Sequence, residues 1–170
     1  EDYDGSNIHH ALANSLPLDS SLLELGPGAG LDIEFLQESY AVTGSDLSDE
    51  FLRMCKEKHP KIPFLKLDAL KLNVDDKFDC IYSNKVLHHL TETELKESLK
   101  QQTAILTRNG MITHSFWLGE GNEEMSGLLF TYYTKDQLVN IISDSFEILS
   151  SLKYEELEES DSLFVIARPR

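Results

Sequence analysis

The chain of 170 residues is short of positive charge: 15 lysines and arginines face 30 aspartates and glutamates, a formal net charge of −15 at pH 7. No dense Lys/Arg cluster occurs along it. Binding a polyanion requires such a patch, so nucleic acid is not an expected partner. Long apolar runs are also missing. No stretch approaches the roughly 20 residues that span a bilayer, and nothing reads as a signal peptide, so no membrane association is expected. Cysteine is scarce: only Cys55 and Cys80 occur, far apart and outside any C-x-x-C pair. That argues against a disulfide framework or a structural zinc site, and a reducing, cytoplasmic setting is expected. Internal repeats, low-complexity tracts and linkers are absent. With 41% hydrophobic residues, residues 1–170 suit one globular domain with a full core. The first residue is Glu rather than Met, so the N-terminus is expected to be incomplete.

What is present is an alternation of strand-like and helix-like segments. Short β-rich runs recur at SLLEL (21–25), AVTGS (41–45), IPFLKL (62–67), FDCIYS (78–83) and GMITHSF (110–116). Helical stretches fit between most of them, while 68–77 reads as loop. Ser48 ahead of Asp49 and Glu50 suits a helix N-terminus, with Pro60 past the end. Thr91 with Glu94, and Thr134 with Gln137, have capping-box spacing. Strand and helix in alternation imply an α/β fold with a mainly parallel sheet. The tail differs: SFEILSSLKYEEL (145–157) and SDSLFVIARP (160–169) read as a terminal hairpin, which makes one strand antiparallel. The tract Glu155-Glu156-Leu157-Glu158-Glu159 reads as a solvated turn between them.

The stretch LLELGPGAG (22–30) carries the chemistry. Gly26, Gly28 and Gly30 follow the first strand and open the next helix, where ligands bind in open α/β sheets. Glycine admits φ > 0 and lets a ligand approach the backbone. Dinucleotide loops follow G-x-G-x-x-G/A, with the pyrophosphate on the helix N-terminus. Here the spacing is G-x-G-x-G, and Glu24 stands at the loop entrance. Like charges at roughly 4 Å and an effective dielectric near 20 repel by several kcal/mol. A cationic, phosphate-free ligand reverses that sign. S-adenosylmethionine carries an ammonium and a sulfonium and keeps a carboxylate for backbone N–H groups, so the loop suits it better than a dinucleotide.

On these residues the chain resembles the class I S-adenosylmethionine-dependent methyltransferases, in particular small bacterial methyltransferase-domain proteins. The resemblance covers nearly the whole chain. Its E-x-G-x-G-x-G pattern falls on Glu24, Gly26, Gly28 and Gly30, with Pro27 between the glycines. It implies a Rossmann-like three-layer sandwich, with a mostly parallel seven-stranded sheet and an antiparallel strand in the C-terminal hairpin. It also implies a cofactor set. Asp46, with Leu47 beside it, would bind the ribose hydroxyls, which bidentate carboxylate chemistry also favours. Asp68-Ala69 would border the adenine, and Ser83 and Asn84 the methionine portion. The implied reaction leaves S-adenosylhomocysteine.

No general base stands out. His88 and His89, just after the fourth strand, are the best-placed candidates for acceptor contact, against a bland structural role for the pair. A metal site from these and His114 is not expected. His9-His10 reads as surface or helix flank. Trp117, Phe130, Tyr132 and Tyr133 follow strand five and suit either an acceptor-pocket wall or helix core. Tyr3 is a further candidate, since similar proteins place an N-terminal Tyr near the cofactor. Little chain precedes the first strand to build a lid, so the acceptor pocket is expected to be open, completed by missing residues, or covered by a partner. A small-molecule acceptor is favoured, with a protein acceptor as the alternative. A non-catalytic cofactor-binding module and a nicotinamide-dependent oxidoreductase are the competing classes. Acceptor identity and oligomeric state are not legible.

Overall fold

The computed structural model describes residues 4–170; the Tyr3 expectation lies outside them. The chain runs α1 (Ser6–Ala13), β1 (Ser21–Leu25), α2 (Leu31–Leu36), β2 (Ala41–Asp46), α3 (Asp49–Lys58), β3 (Phe64–Lys66) and β4 (Phe78–Asn84). A 3-10 turn (Leu87–His89) follows, then α4 (Glu92–Ala104), β5 (Leu106–Trp117), β6 (Asn122–Met125) and β7 (Leu128–Thr131). The chain ends with α5 (Lys135–Ser143), β8 (Phe146–Tyr154) and β9 (Ser162–Pro169).

Seven strands form one sheet in the order β3-β2-β1-β4-β5-β9-β8. Pairing is parallel from β3 to β5, and β9 runs antiparallel to both β5 and β8. The sandwich, its mostly parallel sheet and the antiparallel hairpin strand are as the sequence led us to expect. Strand order reverses between β1 and β4, so the loop after β1 opens at the switch point where such folds bind ligands. Side chains alternate across the sheet with the period-2 geometry of strands. Leu23, Ile81 and Val165 face α4 and α5, packing with Leu95, Leu99, Leu138 and Ile142. Leu22, Tyr82, Phe164 and Ile166 face the other way, onto Ile8, Leu12 and Leu36 of α1 and α2.

Local chemistry sets the helix starts. Ser48 accepts the Phe51 N–H at 3.3 Å, with Asp49 and Glu50 in the first turn of α3 and Lys56 and Lys58 in its last. Thr134 and Gln137 complete a reciprocal capping box on α5. The box expected at Thr91 is half made. Thr91 Oγ1 accepts the Glu94 N–H, but its hydroxyl donates to Glu94 Oε1 at 3.0 Å, so the carboxylate does not reach the Thr91 N–H.

Three further departures from the sequence reading have physical reasons. β5 begins at Leu106, because Leu106 pairs with Phe78 ahead of a register shift in β4. The 117–133 segment contains its own hairpin, β6–β7, closed by Ser126 and Gly127 with φ of 53° and 79°. Two successive residues with φ > 0 match the twist of a tight hairpin. His9 is not a surface residue: its ring stacks on Phe35 at 3.6 Å, with Nε2 3.7 Å from the Asp32 carboxylate. Only His10 is exposed.

Candidate functional site

The carboxyl ends of β1, β2 and β4 enclose a cavity of about 580 Å³. Its rim on one side is the glycine loop and the ends of β2 and β3, including Gly26, Pro27, Gly28, Asp46, Leu47, Asp68 and Ala69. Its other side is formed by Asn84, Lys85, Val86, Leu87, His89, Leu90 and Leu128. The two sides have different chemistry, and each follows from how its elements end.

On the first side the backbone leaves β1 and turns sharply. Gly26 has φ of 64°, and its N–H donates to the Ser45 carbonyl at 2.8 Å, which ties the loop to β2. A Cβ there would sit 2.9 Å from a Val86 methyl. Gly28, with φ of 55°, has nothing within 4 Å of where a Cβ would be, so the space it leaves opens to the cavity. Gly30 caps α2 and lies over Cys55 and His59 instead of lining the cavity.

Four carboxylates lie at this end. Glu24 is 2% exposed, and its Oε2 has no hydrogen-bond partner. Burial holds its pKa well above the ordinary carboxylate value, and the Asp32 and Asp46 charges add to that. Asp32, in the first turn of α2, accepts bonds from Tyr82 Oη and Asn84 Nδ2, both at 3.1 Å. Burial raises its pKa, but the contacts with His9, Asn84 and Tyr82 outweigh that and leave it below the usual range. Asp46 Oδ1 accepts the Ser48 N–H at 2.9 Å, which leaves lone pairs on both oxygens for a ligand. Asp68 Oδ1 likewise accepts the Leu70 N–H at 2.8 Å.

Asn84 and Ser83 separate at the end of β4. Asn84 lines the cavity. Its Oδ1 accepts from the Ser115 hydroxyl at 2.6 Å and its Nδ2 donates to Asp32, which leaves one N–H of the amide free to donate. Ser83 is fully buried, bonded to His114 Nδ1 at 2.7 Å, and is not part of the lining. The other His114 nitrogen donates to Gln102 Oε1 at 2.7 Å, and burial depresses this imidazole to about 3. His114 therefore belongs to a closed core network. Among the described residues no cluster of three or more His, Cys, Asp or Glu side chains is arranged to hold a metal ion.

His88 and His89 also differ from each other. His88 is 3% exposed, neither ring nitrogen has a partner, and its pKa is lowered to about 3 by burial, then by His89 and Lys85. His89 lines the cavity, and its Nδ1 lies 2.8 Å from the Leu129 carbonyl. A carbonyl only accepts, so Nδ1 carries a hydrogen, and in the neutral ring the lone pair is then on Nε2. Phe130 packs against both rings, at 5.2 Å and 4.8 Å. Of the other aromatic residues in the segment, Tyr133 is core, Tyr132 bonds Glu123, and Trp117 lies under the Lys85 amino group. The sequence reading missed two charged site residues, Asp32 and Lys85, and the apolar lining residues Val86, Leu87, Leu90 and Leu128. A carboxylate in the first turn after the glycine loop, and a lone lysine between Asn84 and Val86, were the available signals.

Fold and cavity define a Rossmann-like domain of the kind that holds an adenosyl ligand at its sheet switch point. A family model for the methyltransferase domain matches residues 22–110, just over half of the chain. The chain belongs to that family, as a class I S-adenosylmethionine-dependent methyltransferase domain. An uncharacterized methyltransferase of Alkaliphilus oremlandii is 28% identical over 144 residues, covering 84% of this chain and 64% of that protein. The 1,6-didemethyltoxoflavin-N1-methyltransferase of Burkholderia thailandensis, with 1,6-didemethyltoxoflavin and S-adenosylhomocysteine bound, superimposes with a TM-score of 0.83 at 20% identity. That match covers 99% of this chain and 79% of the other. The glycopeptide N-methyltransferase MtfA with S-adenosyl-L-methionine gives 0.81 at 15% identity, over 99% and 95% of the two chains. Both solved structures share the fold.

Proposed function

We propose that residues 1–170 form one domain that moves a methyl group from S-adenosylmethionine to a small-molecule acceptor. The observation that carries this is the charge layout around the glycine loop. Glu24, Asp32 and Asp46 converge there, and Glu24 has an unpartnered, buried oxygen. A ligand ammonium favours the charged carboxylate that burial, Asp32 and Asp46 disfavour at Glu24, whereas a phosphate adds a further negative charge beside Asp32 and Asp46. Lys85, the one cationic side chain lining the cavity among the described residues, is engaged by Glu156 and does not offset the carboxylates.

The residues present fit the cofactor. Glu24 would take the ammonium, the Asp46 oxygens the two ribose hydroxyls, and Asp68-Ala69 the adenine. The remaining Asn84 N–H suits the carboxylate, and the opening at Gly28 lets the ligand lie against the backbone. Bound S-adenosylmethionine supplies a methyl on a sulfonium, a leaving group already activated for in-line displacement. The chain's own part is then alignment and, for a protonated acceptor, proton removal. His89 Nε2 is the lone pair placed for that removal. His88, neutral and packed, is not. Val86, Leu90 and Leu128 give the acceptor end an apolar wall, which suits a small molecule.

A second reading, a peptide or protein acceptor, is favoured by the open rim and by the fold shared with a glycopeptide N-methyltransferase. Two free cysteines, both buried, support a cytoplasmic location. No described helix is long and apolar enough to cross a membrane. The net charge of −15 weighs against a nucleic-acid acceptor. The test is transfer of a radiolabelled methyl from S-adenosylmethionine to a panel of small hydroxyl and amine compounds and to denatured protein. Label in the small compounds is expected. Label only in protein favours the second reading, and cofactor binding without transfer to any acceptor favours a non-catalytic module.

A further inference from the structure

Lys85 follows Asn84 directly and is held in a way that cofactor contact does not require. It has φ of 55°, a left-handed conformation that a non-glycine residue keeps only when its surroundings impose it. Its side chain is 8% exposed. The amino group lies 2.6 Å from Glu156 Oε2, 2.8 Å from Ser162 Oγ and 3.2 Å from the centre of the Trp117 ring. All three partners lie outside the cavity lining. Glu156 is itself immobilised, because its own N–H and those of Leu157 and Glu158 donate to the Asp161 carboxylate at 3.0, 2.9 and 2.9 Å. The acidic tract is therefore not wholly a solvated turn. Glu155, Glu158 and Glu159 are exposed, but Glu156 points inward at a lysine.

The backbone of Lys85 continues the connection. Its N–H donates to Ser115 Oγ at 2.9 Å, the Ser115 hydroxyl donates to Asn84 Oδ1 at 2.6 Å, and Asn84 Nδ2 donates to Asp32 at 3.1 Å. An unbroken polar path thus runs from the β8–β9 turn, across the ends of β5 and β4, to the first turn of α2. Stability alone is a poor reason to keep such an arrangement, since a buried ion pair is often replaced by apolar side chains without loss. We propose that Lys85 is a positioning residue: anchored on Glu156, it holds the β4 terminus in the conformation that presents the Asn84 amide to the cavity, and so couples a remote turn to cofactor affinity. This rests on the cofactor assignment above.

The test is calorimetric titration of S-adenosylhomocysteine into the wild type, Lys85→Met, Lys85→Arg, Glu156→Gln and the Lys85→Met/Glu156→Gln double variant, with the melting temperature of each. Asp46→Ala serves as the control for the cofactor assignment. Lys85→Met and Glu156→Gln are each expected to weaken binding by about 2- to 30-fold. The double variant is expected to be no worse than Lys85→Met, because the two act as one unit, and Lys85→Arg to recover part of the affinity. Wild-type affinity in Lys85→Met and Glu156→Gln, with Asp46→Ala impaired, overturns the proposal and leaves the cofactor assignment standing. A lowered melting temperature with unchanged affinity does the same. If Lys85→Met fails to fold, Glu156→Gln alone decides. A wild type that does not bind removes the cofactor assignment and this proposal with it.

Discussion

The two sides of the cavity are built by different means. The proposed cofactor side is contiguous: Glu24, Gly26, Gly28 and Asp32 fall within a stretch that leaves β1 and enters α2, and Asp46 ends the adjacent parallel strand. The proposed acceptor side is assembled from distant pieces. His89 meets Leu129 across 40 positions, and Lys85 meets Glu156 across 71. Backbone geometry dominates the first, where the loop must turn with positive φ beside a buried carboxylate. Side-chain packing dominates the second, where two adjacent histidines acquire opposite characters because one faces the core and the other the cavity.

The largest effect that would break this contrast belongs to Gly28. A valine there would project into the open cavity from a left-handed backbone. S-adenosylhomocysteine binding in Gly28→Val is expected to vanish by calorimetry while circular dichroism remains native. Normal binding would mean the loop does not face the ligand. Next, Asp46→Ala is expected to weaken binding by about 1–3 kcal/mol, since in the proposed site two ribose hydroxyls lose a charged acceptor. Equilibrium dialysis at fixed salt would measure it.

The histidines sharpen the comparison through pH. His88 and His114 are both held near a pKa of about 3, below the ordinary imidazole value. The unfolded chain therefore binds more protons between that value and about 6.5, and stability falls as pH is lowered through this window. Each group contributes up to about 1.4 kcal/mol per pH unit there. Glu24 acts in the opposite sense, since its raised pKa keeps a proton in the folded state and loses stability as pH rises above the ordinary carboxylate value. His88→Leu removes one imidazole and leaves Glu24 in place. Urea midpoints from pH 7 to 4 are expected to fall less steeply in His88→Leu than in the wild type. Stability at pH 7 should be unchanged or higher, because two unpartnered ring nitrogens are gone. An equally steep fall would contradict the burial of His88.

The smallest effect is expected at Leu128, half exposed on the β6–β7 hairpin. Leu128→Ala should alter stability by less than about 0.5 kcal/mol and leave S-adenosylhomocysteine affinity at the wild-type value. Methyl transfer, once an acceptor is known, should change. A loss of cofactor affinity would mean that Leu128 contacts the cofactor and not the acceptor end alone.

The same contrast explains what could be read before the structure. The strands of the sheet were legible because apolar runs bounded by caps and glycines are local signals, and β1 falls at Ser21–Leu25 as its sequence indicated. Glu24, Asp46 and Asp68 were legible as candidates because each sits where a strand ends. The β6–β7 hairpin was not, since its strands are almost wholly exposed or half-exposed and carry no hydrophobic alternation. Glu156 was hidden among other acidic residues, and only the fold reveals that it alone in its tract meets a buried lysine. Ser83 looked equivalent to Asn84 in sequence, yet strand alternation sends one hydroxyl into the core and the next amide to the cavity.

The central claim is that the glycine loop and its carboxylates hold S-adenosylmethionine and not a dinucleotide. It is tested most directly by thermal-shift titration of the wild type with S-adenosylhomocysteine, with NADH in parallel. At a hundred times its dissociation constant a ligand adds about 2.7 kcal/mol, roughly 5–10 °C in melting temperature for a chain of this size. A shift with S-adenosylhomocysteine and none with NADH is the expected result. No shift with S-adenosylhomocysteine, or a shift with NADH alone, would contradict the assignment of Glu24 and the loop, and the proposed methyl transfer with it.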